Sequence, residues 1–334
     1  MQFRLELDIK PFDRQLNIQQ PVMLVGSCFT DHMSQRLRQL KFQVLENPHG
    51  IVFNPLSIER VLTHCATQRS YTAADLFHHQ DLWTHWDFHG RFSHPDAATA
   101  LAGMQAANEE AYRFLQTTDW LILTLGSAFV YELKTEEWGG TPGQVVANCH
   151  KVPANHFQHR LASLEELLAS LQRTISIVRS VRPGLPIIFT ISPVRHYREG
   201  LVENNRSKGA LHLAVATLLQ QLPDLFYFPA YELIIDDLRD YRFYAEDLVH
   251  PNYAATQYVW EKFSAACIDA PSLSLMKELD QLRLAVQHRP QHAGSVAHQQ
   301  FLQKMLQKTK ALKEAHPFLD LRAESAYFEQ QLIV

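Results

Sequence analysis

The stretch VMLVGSCFT, residues 22–30, contains an apolar run that ends at a glycine and a serine. An amphipathic stretch follows it as far as Leu40. This order predicts a short buried strand, a tight turn and then a helix. Open α/β sheets hold their ligands at the carboxyl ends of their strands. Ser27 is therefore predicted to lie where such a sheet would carry its site.

Further apolar runs recur along the chain and alternate with helical patterning. Strands are predicted over residues 42–45, 120–125, 187–191 and 225–228, and helices over residues 161–181, from about 208 to 222, and over 252–267. Short, fully apolar strands that alternate with helices are typical of a parallel sheet covered on both faces. We therefore predict an α/β fold, a three-layer α/β/α sandwich built around a parallel sheet.

Composition excludes several classes of protein. The chain has 334 residues, a net charge of −4 and a hydrophobic fraction of 46%. No basic patch indicates nucleic-acid binding. The longest apolar runs are far shorter than the roughly 20 residues that span a bilayer. No apolar signal segment follows the start, so we expect a cytoplasmic protein.

Two segments depart from the alternation of apolar strands and helices. We interpret residues 64–116, which contain a stretch rich in histidine and aromatic residues, as an insertion. Within it, WTHWDFHG is predicted to be an alternating strand. Its one face would carry Trp83, His85, Asp87 and His89. Residues 271–334 read as polar amphipathic helices. We therefore predict one domain over residues 1–270, with that insertion, and a helical extension over residues 271–334.

Two short motifs have the residue types that nucleophilic catalysis needs. Ser27 lies at a strand end with its N–H at a helix N-terminus, where it could stabilise an oxyanion, although a serine there could also simply cap the helix. Asp247 and His250 form a D-x-x-H pattern before the last predicted helix of the domain. A serine needs an imidazole to accept its proton, and the imidazole needs a carboxylate to fix its tautomer. An aspartate three residues before a histidine can do this locally.

Together these motifs resemble the SGNH (GDSL-type) hydrolases, and the match is closer to one branch of them, the GSCFA family. VGSCFT is similar to the motif that names that family, with Thr30 where alanine is usual. Other family-like segments follow in the expected order: NPHGIVFNP (47–55), TLGSAFVY (124–131), NCHKVP (148–153), ISPVRH (191–196), RSKGALH (206–212) and HRPQH (288–292).

The resemblance implies an SGNH-like, flavodoxin-like fold and a catalytic triad of Ser27, His250 and Asp247. It implies an oxyanion hole formed by the N–H groups of Ser27 and Gly50, and by an asparagine after a later strand. That asparagine is absent after Gly126. Either the N–H or hydroxyl of Ser127 replaces it, or the side chain of Asn148 or Asn54 does.

Substrate-binding residues are expected at Asn54, His89, Arg195 and His196. Arg195 either binds an anionic group of the substrate or pairs with a nearby acid. Lys208 opens a predicted helix, where a solvated side chain is the simplest interpretation. Cys28 is expected to be a packed thiol rather than a nucleophile.

These residues predict a serine esterase or deacylase, or an acyltransferase. Its substrate would be a small-molecule or carbohydrate ester, and acetyl esters of sugars are one such class. No cofactor is expected. A ligand-binding protein with a degraded oxyanion hole is the second hypothesis, motivated by the missing asparagine. The third is a metal-dependent phosphoesterase built on ligand types in the histidine-rich stretch: His78, His79, His85, Asp87, His89 and His94. The serine hypothesis itself assigns no metal ligand, and the oligomeric state is left open.

Overall fold

A computed structural model describes residues 5–332. Ten strands are present in that range: β1 (Val22–Gly26), β2 (Val44–Glu46), β3 (Phe77–His79), β4 (Leu82–Thr84), β5 (Trp120–Leu125), β6 (Phe129–Leu133), β7 (Val145–Val146), β8 (Phe157–Leu161), β9 (Ile187–Ile191) and β10 (Leu225–Phe228).

Ten α-helical segments accompany them: α1 (Cys28–Gln39), α2 (Pro55–Ala66), α3 (Ala97–Thr117), α4 (Leu164–Val181), α5 (Leu201–Gln221), α6 (Ala230–Glu232), α7 (Tyr253–Cys267), α8 (Ala270–Gln287), α9 (Val296–Ala315) and α10 (Arg322–Gln331). The short α6 continues directly into a π-helical turn, Leu233–Leu238.

The central sheet has five strands in the order β10-β9-β5-β1-β2, and all neighbouring pairs are parallel. Numbered along the chain, these five strands run 2-1-3-4-5 across the sheet, which is the flavodoxin-like order. The order of the chain reverses between β1 and β5, and such a switch point is where doubly wound sheets place their ligands. At that point Gly26 pairs with Thr124.

Alternating side chains on each strand enter two separate cores. One core contains Val22, Leu24, Trp120, Ile122 and Ile188 together with residues of α1, α7 and α8. The other contains Met23, Val25, Leu121, Leu123 and Phe189 together with residues of α2, α4 and α5. The sheet is therefore covered by helices on both faces, and the predicted three-layer α/β/α architecture is confirmed.

The predicted strands over residues 120–125, 187–191 and 225–228 have the predicted bounds, while β2 begins two residues later than predicted. Helix α5 begins at Leu201 rather than near Lys208. The three-stranded antiparallel sheet β7-β6-β8 was not predicted. Its short strands lack the continuous apolar runs of the central sheet, since β8 is exposed at two of its five positions.

The prediction of one alternating strand through WTHWDFHG is wrong. β4 ends at Thr84, and a turn follows it. His85, Trp86, Asp87 and Phe88 are at most 4% exposed, so successive side chains are all buried instead of alternating between a core and solvent. A turn that folds back into the protein can bury consecutive residues, whereas an edge strand with one solvated face cannot.

The C-terminal helices α8 to α10 lie outside the sheet but share its core. Leu302, Leu319, Leu321 and Phe328 belong to the same apolar cluster as α1 and α7. Lys41, just after α1, forms an ion pair with Glu324 of α10 at 2.6 Å. Among the helices described, none combines the length and apolarity needed to cross a bilayer.

Because Phe328 is fully buried in that shared core, Phe328→Ala should lower the free energy of unfolding of the whole protein by about 3–5 kcal/mol. Urea unfolding followed by tryptophan fluorescence and by far-ultraviolet circular dichroism checks this. Phe318→Ala is the matched control, since Phe318 is 43% exposed and should change stability by about 0.5 kcal/mol. A main unfolding transition unaffected by Phe328→Ala would mean that the C-terminal helices are an independent unit.

Candidate active site

Ser27 lies at the N-cap of α1, directly after β1. The preceding Gly26 has a φ of 151°, and a Cβ atom there would lie 2.2 Å from the carbonyl oxygen of Thr124. Only glycine fits this close approach between β1 and β5. The N–H of Gly26 donates to Asn47 Oδ1 at 2.8 Å, which links the end of β1 to the loop after β2. This packing holds Ser27 at the switch point of the sheet.

The hydroxyl of Ser27 is buried and, among the residues that the structure describes, has no hydrogen-bond partner. An N-cap serine usually accepts a hydrogen bond from a backbone N–H of the first helical turn, but Ser27 makes no such bond. The cost of leaving a buried polar group unpaired is about 1–3 kcal/mol. A simple capping role therefore does not account for this serine.

The loop after β2 crosses over the ends of β1 and β5. Val52 N–H donates to Gly26 O at 3.1 Å, and the carbonyl of Phe53 accepts from the N–H groups of both Gly126 and Ser127, at 2.7 and 2.9 Å. A Cβ added to Gly126 would lie 3.2 Å from Ser27 Cβ and from Phe53 O. The Gly126 segment, the loop and Ser27 therefore form one tightly packed group.

The backbone N–H groups expected to form an oxyanion hole all have partners in this structure. The Ser27 N–H donates to Thr124 O at 3.1 Å and the Gly50 N–H to Asn47 O at 2.7 Å, while the Ser127 N–H is held by Phe53 O. Ser127 Oγ lies 3.3 Å from Ser207 Oγ and accepts from Phe129 N–H at 3.0 Å. A bound oxyanion would have to displace one of these bonds or use another donor.

Both asparagines considered as replacements accept a backbone hydrogen bond through Oδ1. The Asn148 Oδ1 accepts from the N–H of His150 at 2.8 Å. Asn54 caps α2, its Oδ1 accepting from Ser57 N–H at 2.8 Å. Asn54 is only 6% exposed and directly follows Phe53, whose carbonyl contacts the Gly126 segment. Within residues 5–332 neither amide nitrogen forms a hydrogen bond, so what distinguishes Asn54 is its place next to Phe53 in the chain.

Asp247 and His250 form a hydrogen-bonded pair. Asp247 Oδ2 lies 2.7 Å from His250 Nδ1, and Asp247 Oδ1 accepts from the N–H groups of Val249 and His250 at 2.9 and 3.0 Å. The His250 N–H bond, followed by the side-chain bond to His250, lowers the pKa of Asp247 to about 2. The carboxylate is therefore ionised at neutral pH and orients the imidazole.

We call residues 244–251 the His250 loop. It is attached to the segment after β9, since Arg195 N–H donates to Val249 O at 3.3 Å and Tyr197 Oη donates to Leu248 O at 3.0 Å. The side chain of His250 is 46% exposed, whereas Ser27 is fully buried with an unpartnered hydroxyl. The serine and histidine are therefore not hydrogen bonded to each other. Catalytic hydrogen bonds are often long or unformed without substrate.

Lys208 is a site feature that sequence reasoning missed. It is 2% exposed, not solvated, and its ammonium donates to Gly126 O at 2.6 Å and to Ser192 O at 2.7 Å. It thereby connects the residues that follow β5 and β9. Within residues 5–332 it forms no ion pair, and burial lowers the pKa of its ammonium to about 7. A lysine inside a helix gives no sequence signal of burial, because long side chains can cover apolar surface and still reach water.

His196 also lies near this centre. Its ring packs edge-on against Phe53, with the ring centroids 5.6 Å apart. Its Nε2 is buried and has no partner among residues 5–332. Burial, followed by the charges of Lys208 and His250, lowers the pKa of His196 to about 4. The imidazole is therefore neutral at pH 7 and can offer either a donor or an acceptor to a ligand.

His89 packs against the loop after β2: a Cβ added to Gly50 would lie 2.1 Å from His89 Cβ. Its imidazole accepts from Arg91 N–H at 3.2 Å. Asp87 is 1% exposed and forms two hydrogen bonds with Arg60, at 2.9 and 2.8 Å. His89 and Asp87 therefore do not share the strand face predicted for them.

The histidine-rich stretch does not assemble a metal site in the part of the chain that is described. No group of three or more His, Cys, Asp or Glu side chains there could hold a metal ion. The metal-dependent phosphoesterase hypothesis therefore has no ligand set within residues 5–332.

Cys28 is a half-buried free thiol. Burial, followed by the charge of Asp31, raises its pKa, and the ammonium of Lys208 offsets only part of that shift. A raised pKa reduces the thiolate fraction on which cysteine reactivity depends. This environment favours the packed role expected for Cys28.

Family comparison agrees with these motifs. The GSCFA family matches residues 21–263, and the family described as "GSCFA domain protein, C-terminal domain" matches residues 279–334. None of the curated proteins matches the chain.

Several solved structures are distantly similar. A carbohydrate esterase family 3 protein from Talaromyces cellulolyticus is 11% identical, with a TM-score of 0.37 over 78% of this chain and 99% of its own. An acetyl esterase mutant with acetate ion is 12% identical, with a TM-score of 0.37 over 78% and 100%. The salicylyl-acyltransferase SsfX3 from a tetracycline biosynthetic pathway is 12% identical, with a TM-score of 0.36 over 75% and 54%. Likeness at this distance assigns no activity.

The buried ammonium predicts a pH dependence of stability. The pKa of Lys208 is about 7 in the folded protein, compared with an ordinary lysine value of 10.5. Between pH 7 and pH 10.5 the unfolded chain therefore binds more protons at this residue than the folded protein does. The free energy of unfolding rises with pH over that range. Lys208→Met should remove up to about 1.4 kcal/mol per pH unit of that slope. Urea unfolding of both proteins from pH 7 to about pH 10 checks this, and parallel curves would contradict it.

Proposed function

Because the chain belongs to the GSCFA family, we propose that it is a serine ester hydrolase in which Ser27 is the nucleophile, His250 the base and Asp247 its orienting partner. One observation carries the proposal: a buried serine hydroxyl at a helix N-cap makes no capping bond and has no other partner in the described part of the chain. Natural proteins rarely leave such a group unpaired, and exceptions cluster at functional sites.

In the first half-reaction, Ser27 Oγ bonds to the ester carbonyl carbon while His250 Nε2 accepts the hydroxyl proton. The carbonyl oxygen becomes an oxyanion, and its collapse breaks the bond to the alcohol, which leaves with the proton from His250. Water then attacks the acyl-enzyme by the same steps. In an acyltransferase a second hydroxyl would replace that water. Asp247 stays ionised throughout and holds Nδ1.

Ser27 and His250 must come together when substrate binds, because the serine is enclosed and the histidine is half exposed. The bonds from Arg195 and Tyr197 to Val249 and Leu248, just before His250, restrict that movement. Substrate binding and assembly of the triad are then coupled, as in enzymes that complete their site on closure.

For the oxyanion we propose the side-chain amide of Asn54. Its Oδ1 is committed to the cap of α2, which fixes the plane of the amide and leaves the nitrogen to donate. The backbone N–H of Ser27 would join it if its bond to Thr124 lengthens. In its protonated form, Lys208 places a buried positive charge behind Gly126, where it favours negative charge developing on the Ser27 side.

A ligand-binding protein with little or no turnover is the second candidate. It is favoured by one specific observation: the backbone N–H groups of Ser27, Gly50 and Ser127 all have partners. Such a protein would keep the pocket but would not need the hydroxyl of Ser27.

The hydrolase proposal predicts that a fluorophosphonate probe labels Ser27 alone. Labelling should disappear in Ser27→Ala and fall at least about 10³-fold in rate in His250→Ala, because the serine then lacks its base. Peptide mass spectrometry locates the label. Cys28→Ala is the matched control and should keep wild-type labelling. A folded wild-type protein that stays unlabelled would favour the binding protein instead.

The oxyanion assignment predicts that Asn54→Asp and Asn54→Ser both lower kcat for acetyl esters by about 10²–10³-fold. Both substitutions keep a good N-cap acceptor for α2 but remove the amide donor. Their thermal unfolding temperatures should therefore stay close to that of the wild-type protein. Substrates to measure first are p-nitrophenyl acetate and acetylated sugars. Unchanged kcat in both variants would remove Asn54 from the mechanism.

A further inference from the structure

We infer that a pocket beside the His250 loop binds an acidic group of the substrate, a carboxylate carried on a small ring such as a sugar acid. We call it the acid pocket; its volume is about 260 Å³, and its lining includes Arg195, Ile234, Asp236, Arg239, Tyr241 and Tyr244. The inference rests on the proposed function only in assigning the bound group to an ester substrate.

The acid pocket and the proposed catalytic residues share one segment of chain. Tyr244 lines the pocket and pairs through its backbone with Pro251, the residue after His250. Arg195 also lines the pocket, and its backbone N–H donates to Val249 O at 3.3 Å. A ligand held there lies next to the base of the proposed triad, on the β9 and β10 side of the sheet.

Two guanidinium groups line the pocket without a carboxylate partner. Arg195 packs against the rings of Tyr241 and Tyr244, 5.8 and 5.3 Å from their centroids. Its polar contacts are to two tyrosine hydroxyls, each at 3.5 Å. Within residues 5–332, neither Arg195 nor Arg239 forms an ion pair. Arg239 follows the π-helical turn with a φ of 52°, and such turns are frequent at functional sites.

The acidic residues of the pocket do not neutralise both arginines. Asp240 accepts from Arg242 N–H at 2.8 Å and lies 3.8 Å from the Arg242 guanidinium, so its charge is compensated outside the pocket. Asp236 is the other carboxylate of the lining. Two guanidinium groups and one uncompensated carboxylate leave the pocket with a net charge of about +1, which favours a ligand with a single negative charge. A carboxylate suits this site because a guanidinium group can bind both of its oxygens.

The tyrosines supply the remaining features of a ring-binding site. Tyr244 is 8% exposed, and within the described chain its buried hydroxyl has no hydrogen-bond partner, which a ligand oxygen could supply. Tyr241 is 57% exposed and presents its ring at the pocket edge, where a sugar ring could pack against it. The pocket is smaller than the roughly 300–1,000 Å³ typical of drug-sized ligands, which fits one monosaccharide unit.

The test measures direct binding of D-glucuronate, D-glucose and inorganic phosphate to the full chain by isothermal titration calorimetry. We expect glucuronate to bind more tightly than glucose, and its affinity to fall about 10–100-fold in Arg195→Met, as for loss of a charged hydrogen bond. Arg206→Met is the matched control because Arg206 is exposed on α5 and pairs with Glu203; it should bind like wild type.

Two further variants keep the test decisive if Arg195→Met does not fold. Arg239→Met alters an exposed residue and should also weaken glucuronate binding. Tyr244→Phe removes the unpartnered hydroxyl and should weaken it several-fold while keeping the fold. Equal affinity of glucuronate in wild type and these variants, or equal binding of glucuronate and glucose, would overturn the inference. Tighter binding of phosphate than of glucuronate would overturn the assignment to a carboxylate.

Because calorimetry does not depend on catalysis, failure of the two proposals can be separated. Binding of glucuronate without fluorophosphonate labelling of Ser27 would retain the acid pocket and reject the hydrolase. Labelling of Ser27 without arginine-dependent binding would do the reverse. Where both hold, glucuronate should slow the labelling of wild-type Ser27 and not that of Arg195→Met.

Discussion

The contact between Gly26 and the backbone of Thr124 sets the geometry of the candidate site. Any Cβ at position 26 would overlap the Thr124 carbonyl, so β1 and β5 can approach this closely only with glycine there. Because Ser27 is the next residue, its place at the start of α1 follows from that contact. The loop after β2 is then fixed over the same point by the bonds of Val52 and Phe53 to the two strand ends.

Lys208 extends this arrangement across the sheet. Its ammonium joins the carbonyls of Gly126 and Ser192, which follow β5 and β9. A buried lysine without a carboxylate is costly, because its charge loses the solvation of water. A site at which negative charge develops during a reaction is one setting where that cost is offset. The hydroxyl of Ser27 is likewise buried without a partner within residues 5–332.

The features that were predicted correctly depend on local pattern. The apolar runs of β5, β9 and β10 are continuous because both faces of those strands are buried, so they can be recognised without knowing their neighbours. The pairing of Asp247 with His250 spans three residues and closes within one turn of chain. The strand predicted through Trp86 and Phe88 failed because alternation in sequence does not distinguish a strand from a turn whose residues are all buried.

The sequence by itself determined the α/β architecture, the position of Ser27 after β1 and the local Asp247–His250 pair, because each follows from residues close together in the chain. The tertiary structure alone decided that Lys208 is buried, that the backbone donors near Ser27 have partners, and that Asn54 keeps a free amide nitrogen. It also decided that Arg195 and Arg239 line one pocket. Residues far apart in sequence meet only when the sheet order and loop paths are set, and the protonation of a side chain depends on the neighbours and solvent it then has.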